Sequence, residues 1–431
     1  MKNFKNSGIE WLGEIPEHWE VVKGFFLFFS KKELNLNFQC KDRLALTLNG
    51  VIEKSISQND GLNPLDFRTY QIFEKNDLVF KLIDLDNINT SRVGYVHKKG
   101  IMSSAYIRLI SKNKNYPKYF FYYYYNLYIK QIFNNLGTGV RATLKPDELL
   151  SIKLCYPPLK EQEQIANFLD EKCEKIQNFI EKKEKLLSLL QEQKQALINE
   201  TITKGLDKNV KLKNSGIEWL GEIPEHWEVR KLKMLFSFGN GLNITKADFI
   251  SFGIPCISYG EIHSKYPCRL DLSVHKLPFV SETYLNDKPQ SLLSKGDFVF
   301  ADTSEDIEGS GNFTCIQSNI PLFAGYHTII LRPKTQIYSL YFSFLFDSIF
   351  VRNQIREKVW GVKVFSITKS ILKEVQCFIP PLKEQEQIAN FLDEKCEKID
   401  SLITKIKKQI ELIKEYKTTL INEAVCGRIN N

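Results

Sequence analysis

Two phrases of this 431-residue chain are each written twice, in a fixed order. NSGIEWLGEIPEHWEV stands at Asn6–Val21 and again at Asn214–Val229, preceded both times by a lysine, Lys5 or Lys213. PPLKEQEQIANFLDEKCEKI stands at Pro157–Ile176 and again at Pro380–Ile399. The first phrase returns after 208 residues and the second after 223, so the second intervening segment is 15 residues longer. A repeat above 200 residues is a duplicated domain and excludes a stacked solenoid. The intervening segments hardly resemble each other. Two halves therefore share one frame and carry different contents.

The polar stretch after the second phrase has the spacing of a coiled-coil seam. Leu169, Ile176, Leu190 and Leu197 are separated by multiples of seven, with Lys183 interrupting, and Ile165, Phe179 and Leu186 fill companion positions. In the second copy Leu392, Ile399, Ile406, Ile413 and Leu420 run unbroken, with Ile388 and Leu402 alongside. Pro158 or Pro381 marks each start, and Gly205 or Gly427 each end. A helix over Lys160–Glu200 is about 60 Å long. Each such helix either lies on its own domain or pairs with the other. The duplication favours an antiparallel pair related by a pseudo-two-fold axis, holding the variable segments apart.

Inside the variable segments, FEKNDLVF (Phe73–Phe80) and LSKGDFVF (Leu293–Phe300) are placed alike. Each reads as a polar turn leading into a strand, so the segments share a mixed α and β fold despite their divergence. Tyr119–Tyr128 and Tyr338–Phe350 read as aromatic-rich helices whose rings belong to the core. The expected order is repeated phrase 1–21, variable segment 22–156, long helix 157–205, linker and second phrase 206–229, variable segment 230–379, and long helix 380–431. The fold class is α+β with an internal repeat.

Charge separates the same parts. Residues 22–156 hold 20 Lys/Arg against 11 Asp/Glu, and residues 230–379 hold 17 against 13. With a net charge of +8 for the chain, the repeated parts are left acidic, at −5. The basic segments read either as ordinary solvated surface or as two polyanion-binding units in an acidic frame. No apolar run approaches the roughly 18 residues of a membrane span, and MKNFKNSGIEW lacks a signal-peptide pattern. Nine scattered cysteines without CxxC spacing suit reduced thiols in a cytoplasm.

Catalytic motifs are missing. There is no GxxxxGK[ST] loop, FGNG (Phe238–Gly241) is a lone glycine pair, and the six histidines form no HxxxH pair. YPPL and IPPL have the wrong first residue for the Asn/Asp-Pro-Pro-Tyr motif of amino-methyltransferases. Glu181–Lys183 (EKK) lies in the heptad helix. His18 and His226, beside Trp19 and Trp227, read as packed or capping residues. No metal ligand set is expected. The chain reads as one that recognises something and neither cuts nor modifies it.

GIEWLGEIPEHWEV twice, with PPLKEQEQIANFLDEKCEKI twice opening a long helix, resembles the specificity subunits of type I restriction–modification systems across essentially the whole chain. The resemblance implies two target recognition domains, each reading half of a bipartite double-stranded DNA site. It implies that the repeats form the helical spacer and dock two methyltransferase (modification) subunits. S-adenosylmethionine, ATP and Mg would then sit on partner subunits, including a restriction/translocase subunit, and no cofactor on this chain. A glycine and a basic residue precede the second phrase, as Gly139–Val140–Arg141 and Gly361–Val362–Lys363. Such a turn suits approach to a phosphate or base edge, the alternative being an ordinary exposed turn. Candidate DNA-facing residues are Arg92, Lys98, Lys99, Arg141, Lys145, Arg269, Lys363 and Lys369. Candidate partner-docking residues are Trp11, Trp19, Trp219, Trp227, Gln162 and Gln385. Two other classes stay open from the residues alone: a piece of a single-chain restriction enzyme, and a coiled-coil scaffold with incidental basic charge.

Overall fold

The computed structural model describes every residue except 1–2, 49, 56–63, 65, 84, 86–91, 113–114, 138–142, 218–220, 266–267, 362 and 430–431. The chain forms two compact units, Met1–Glu184 with Lys407–Asn431, and Lys185–Ile406. The last stretch of the chain thus belongs to the unit that contains the first. Two long helices, Leu159–Lys204 (46 residues) and Leu382–Val425 (44 residues), each pass from one unit into the other. At 1.5 Å per residue they are about 69 and 66 Å long.

Proline sets the start of both helices. Pro158 accepts from the Glu161 and Gln162 amides, and Pro381 accepts from the Glu384 and Gln385 amides, satisfying donors that lack an intrahelical partner. Left-handed glycines end them, Gly205 at φ +73° and Gly427 at φ +72°. Within each unit the helices run antiparallel. In the second, Lys194 meets Asp400 at 2.7 Å while Gly205, eleven residues on, lies beside Glu384.

The predicted seam is partly buried, with Leu190, Leu197, Ile399 and Ile413 half-buried, and its companion line holds at Ile165 and Ile388 and is displaced beyond them. Leu169, Ile176, Leu392, Ile406 and Leu420 are buried. The residues alternating with them are Ile180 on the first helix and Cys396, Ile403 and Ile410 on the second, all buried. Phe179, Leu186 and Leu402, expected in that role, are exposed. Steps of +3 and +4 both satisfy a heptad, and burial selects +4 after Ile176, Leu392, Ile399 and Ile406.

Each variable segment enters and leaves through one antiparallel ribbon. Glu20–Lys23 pairs with Lys153–Tyr156, and Glu228–Lys231 pairs with Gln376–Ile379. Between these ribbons the two units repeat one topology. Among the described residues, one sheet of the first unit runs Phe28–Ser30, Ile107–Ser111, Leu78–Phe80, Val93–Tyr95. Its counterpart runs Phe236–Asn240, Thr328–Pro333, Phe298–Ala301, Phe313–Ile316, with Cys268–Leu270 added parallel at the edge. A second sheet places Gly100–Met102 parallel to Arg43–Thr47, matched by Leu322–Ala324 parallel to Ile254–Ile257. The strands that begin at Leu78 and Phe298 occupy the same place. Asp77 and Asp297, just before them, close the preceding turns by accepting from the Glu74 and Ser294 amides.

The aromatic helices Pro117–Ile129 and Ser339–Asp347 pack on these sheets. Tyr119, Phe120, Tyr123 and Tyr124 are buried, as are Tyr341, Phe342 and Phe346. Phe28 meets Phe120 edge-on at 5.2 Å, and Phe298 meets Phe346 edge-on at 5.0 Å. Such pairs add about 0.5–1.5 kcal/mol each beyond area burial. These rings are core and offer no stacking platform.

Candidate nucleic-acid interface

The two repeated phrases hold each other. In the first unit the Trp19 indole Nε1–H donates to Glu161 Oε2 at 3.0 Å, and His18 Nε2 lies 2.7 Å from Glu161 Oε1. In the second, Trp227 donates to Glu384 Oε1 at 3.1 Å, with His226 Nε2 2.7 Å from Oε2. The neighbouring glutamine faces the variable segment. Gln162 donates to Pro157 O and accepts from the Tyr116 amide, while Gln385 donates to Pro380 O and accepts from the Tyr338 amide. Tyr116 and Tyr338 are the residues that lead into the two aromatic helices. A helix end completes each clamp. A Cβ on Gly205 would lie 3.2 Å from the Trp227 ring, and one on Gly427 would lie 2.8 Å from the Trp19 ring.

Sequence reasoning placed Trp19, Trp227, Gln162 and Gln385 on a partner-docking surface. The structure instead buries all four inside their own units, with Trp19 only 1% and Trp227 0% exposed. Their repetition serves an internal joint, because an identical phrase meets an identical phrase in both halves. Trp11 is half-buried, and Trp219 lies outside the described residues.

The candidate cations divide. Arg92 is 2% exposed, and its guanidinium donates to Ile83 O, so it is part of the interior. Arg269 pairs with Asp393 of the second long helix at 2.7 Å and lies over the Phe344 ring. It fastens the recognition segment to the frame. Lys98 pairs with Glu53 at 2.8 Å, and Lys99 with Glu74 at 2.6 Å, and these hydrogen-bonded carboxylates raise both lysines' pKa. Lys145 is exposed just ahead of the short helix Pro146–Ser151. Lys369 is half-buried in the first turn of Lys369–Lys373. Gly139, Val140 and Arg141 lie outside the described residues.

Lys363 is exposed just ahead of the short strand Phe365–Ser366. Phe365–Ser366 pairs antiparallel with Thr303–Ser304, Trp360 bridges to Ser366, and the Ile367 amide donates to Asp302 O at 2.7 Å. A Cβ on Gly361 would fall 2.0 Å from Val364 O, so only glycine fits at that position. The partner strand is braced from behind. His263 Nδ1 faces Asn312 Nδ2 at 2.8 Å, and its Nε2 faces Thr303 O at 2.7 Å. That network assigns the imidazole as a neutral Nε2–H tautomer. Arg352 donates to Asn312 Oδ1 at 2.9 Å and continues the chain to Asp347. Sequence reasoning passed over Trp360, whose signal was its position directly before the glycine.

The family model of the type I restriction modification DNA specificity domain matches residues 45–189 and 224–412. The chain belongs to this family. The Methanocaldococcus jannaschii type I restriction enzyme MjaVIII specificity subunit is 28% identical over 96% of this chain and 94% of its own length. Two solved structures share the fold. One comes from work on complex assembly and conformational transition of the type I R-M system, with a TM-score of 0.71 at 13% identity, covering 96% of this chain and 99% of that one. The other is the HsdS subunit from Thermoanaerobacter tengcongensis, with a TM-score of 0.51 at 14% identity, covering 96% and 98%. A type I DNA specificity subunit is therefore the reading that stands, over a scaffold or a single-chain restriction enzyme. No helix among the described residues is long and apolar enough to cross a membrane.

Proposed function

We propose that the chain selects the site for a DNA methyltransferase, each variable segment reading one half of a bipartite duplex sequence. The long helices set the number of base pairs between the halves. Two methyltransferase subunits dock on the repeated frame and carry S-adenosylmethionine. A separate subunit supplies ATP- and Mg-dependent cleavage, and the assembly works in the cytoplasm. One observation carries this reading: the same clamp residues and matching ribbons support two divergent surfaces. What the two units keep in common faces one kind of partner twice, and what they vary faces two DNA sequences. Because the clamp residues are buried, the docking face falls to the exposed side of the repeated helix. Lys160, Glu163 and Gln164 are exposed there, as are Lys383, Glu386 and Gln387.

The test inserts one heptad into each long helix where it passes between units, after Glu184 and after Ile406. Seven residues add about 10 Å, or roughly three base pairs of duplex at most. Sequencing of methylated DNA from cells expressing the variant with its methyltransferase partner should show the same half-sites separated by about one to three more base pairs, since bending absorbs part of the change. An active variant with an unaltered spacer would show that the helices do not measure the site.

A further inference from the structure

We infer that Tyr116 and Tyr338 are positioning residues that fix each variable segment's place along its long helix and so help to set the spacer of the bipartite site. The inference rests on the proposal that each unit reads one half-site. The two tyrosines stand at the same place, directly before the aromatic helices Pro117–Ile129 and Ser339–Asp347. Each holds its long helix twice. The Tyr338 amide donates to Gln385 Oε1 at 3.1 Å, and its hydroxyl donates to Asn390 Oδ1 at 3.2 Å. The Tyr116 amide donates to Gln162 Oε1 at 3.0 Å, and its hydroxyl to Asn167 Oδ1 at 3.4 Å. The acceptors of each pair are five residues apart, or about 7.5 Å along the helix axis. One anchor would let the segment pivot, whereas two at that separation oppose both sliding and rotation.

The duplication separates this role from packing. Gln162, Asn167 and Asp170 recur as Gln385, Asn390 and Asp393 because the second phrase is written twice. On the variable side the grip on the aspartate has diverged. Asp170 accepts from the Tyr122 hydroxyl and pairs with Lys118, whereas Asp393 pairs with Arg269. The tyrosine has not diverged. Tyr119–Phe120 and Tyr341–Phe342 recur as well, but those four rings are buried core. Tyr116 and Tyr338 are half-buried, and filling a core does not call for a hydroxyl aimed at the same amide of the frame. A side chain kept in two otherwise different segments serves what both halves need alike. That shared need is a fixed place on the frame, not a base sequence.

The experiment assembles the full chain with its methyltransferase partner and measures methylation of duplexes carrying both half-sites at the cognate spacer, or at one base pair longer or shorter. Tyr338→Phe keeps the ring and the amide and removes only the hydroxyl bond. One hydrogen bond shifts an equilibrium by about two- to tenfold, so the preference for the cognate spacer should fall by about that factor. Asn390→Ala should do the same, and the two changes together should do no more than either alone. Asn390→Asp retains an acceptor and should keep the wild-type preference. Tyr116→Phe should relax the spacer from the first unit. Half-site sequences and melting temperatures should not change, since both hydroxyl bonds are exposed. Wild-type spacer preference in Tyr338→Phe and Asn390→Ala would overturn the inference. So would an equal fall at every spacer, which would make the bond one of stability or assembly, or an altered half-site, which would make Tyr338 a reading residue. A wild-type complex that methylates without regard to the spacer would overturn the underlying reading and this inference with it.

Discussion

Asp77 and Asp297 occupy matching turns, and each is paired with an arginine from the next strand of its sheet, Arg108 and Arg332. Burial pushes both carboxyls above their usual range; amide hydrogen bonds and the arginine charges oppose the shift without cancelling it. A carboxyl raised in this way favours the fold while protonated, below its unfolded pKa of about 3.9. That contribution is lost as pH rises through the folded value. At neutral pH the charged Asp77 therefore depends on Arg108, which is itself buried. Arg108→Met should destabilise the first unit by about 3–5 kcal/mol at neutral pH, because it strands a buried charge. The loss should shrink toward acid pH, as Asp77 becomes neutral. Urea unfolding across the pH range checks both statements, and a pH-independent loss would mean that packing, not charge, sets it. The turn was legible from Asp-x-Val-Phe in both segments. Its arginine was not, because the strand partner comes from more than 30 residues away.

The long helices show what periodicity can and cannot reveal. Their ends, at proline and glycine, and their central seam follow from sequence because local chemistry and a sevenfold spacing specify them. Which neighbouring residue completes the seam depends on the partner helix, which spacing alone does not describe. Ile180 is 5% exposed and Phe179 beside it 39%. Ile180→Ala should cost about 2–5 kcal/mol, whereas Phe179→Ala should cost under about 1 kcal/mol despite removing the larger side chain. Thermal unfolding of the two variants measures the difference. Equal losses would place both residues in the interface.

For the molecule as a whole, the duplication made the frame legible and left the purpose of individual repeated residues open. An identical tryptophan in both halves is expected whether it meets an external partner twice or another repeated residue twice. In this fold each indole meets another repeated residue, Glu161 or Glu384. Charge in sequence likewise carries no sign of which side chain it meets: Arg92 is buried, and Arg269 pairs with Asp393. The ribbon of Glu20–Lys23 with Lys153–Tyr156 closes the first variable segment into a cassette. Residues 22–156 can be exchanged for the equivalent segment of a related subunit at a junction inside that ribbon, between Val21 and Val22, provided the incoming strand still pairs with Glu20 and Val21 and Gln162 still meets the amide at position 116. Sequencing of methylated DNA after that exchange tests independent half-site reading most directly. The predicted result is one altered half-site, with the other half and the spacer preserved. A change in both halves, or in neither with methylation intact, would contradict it.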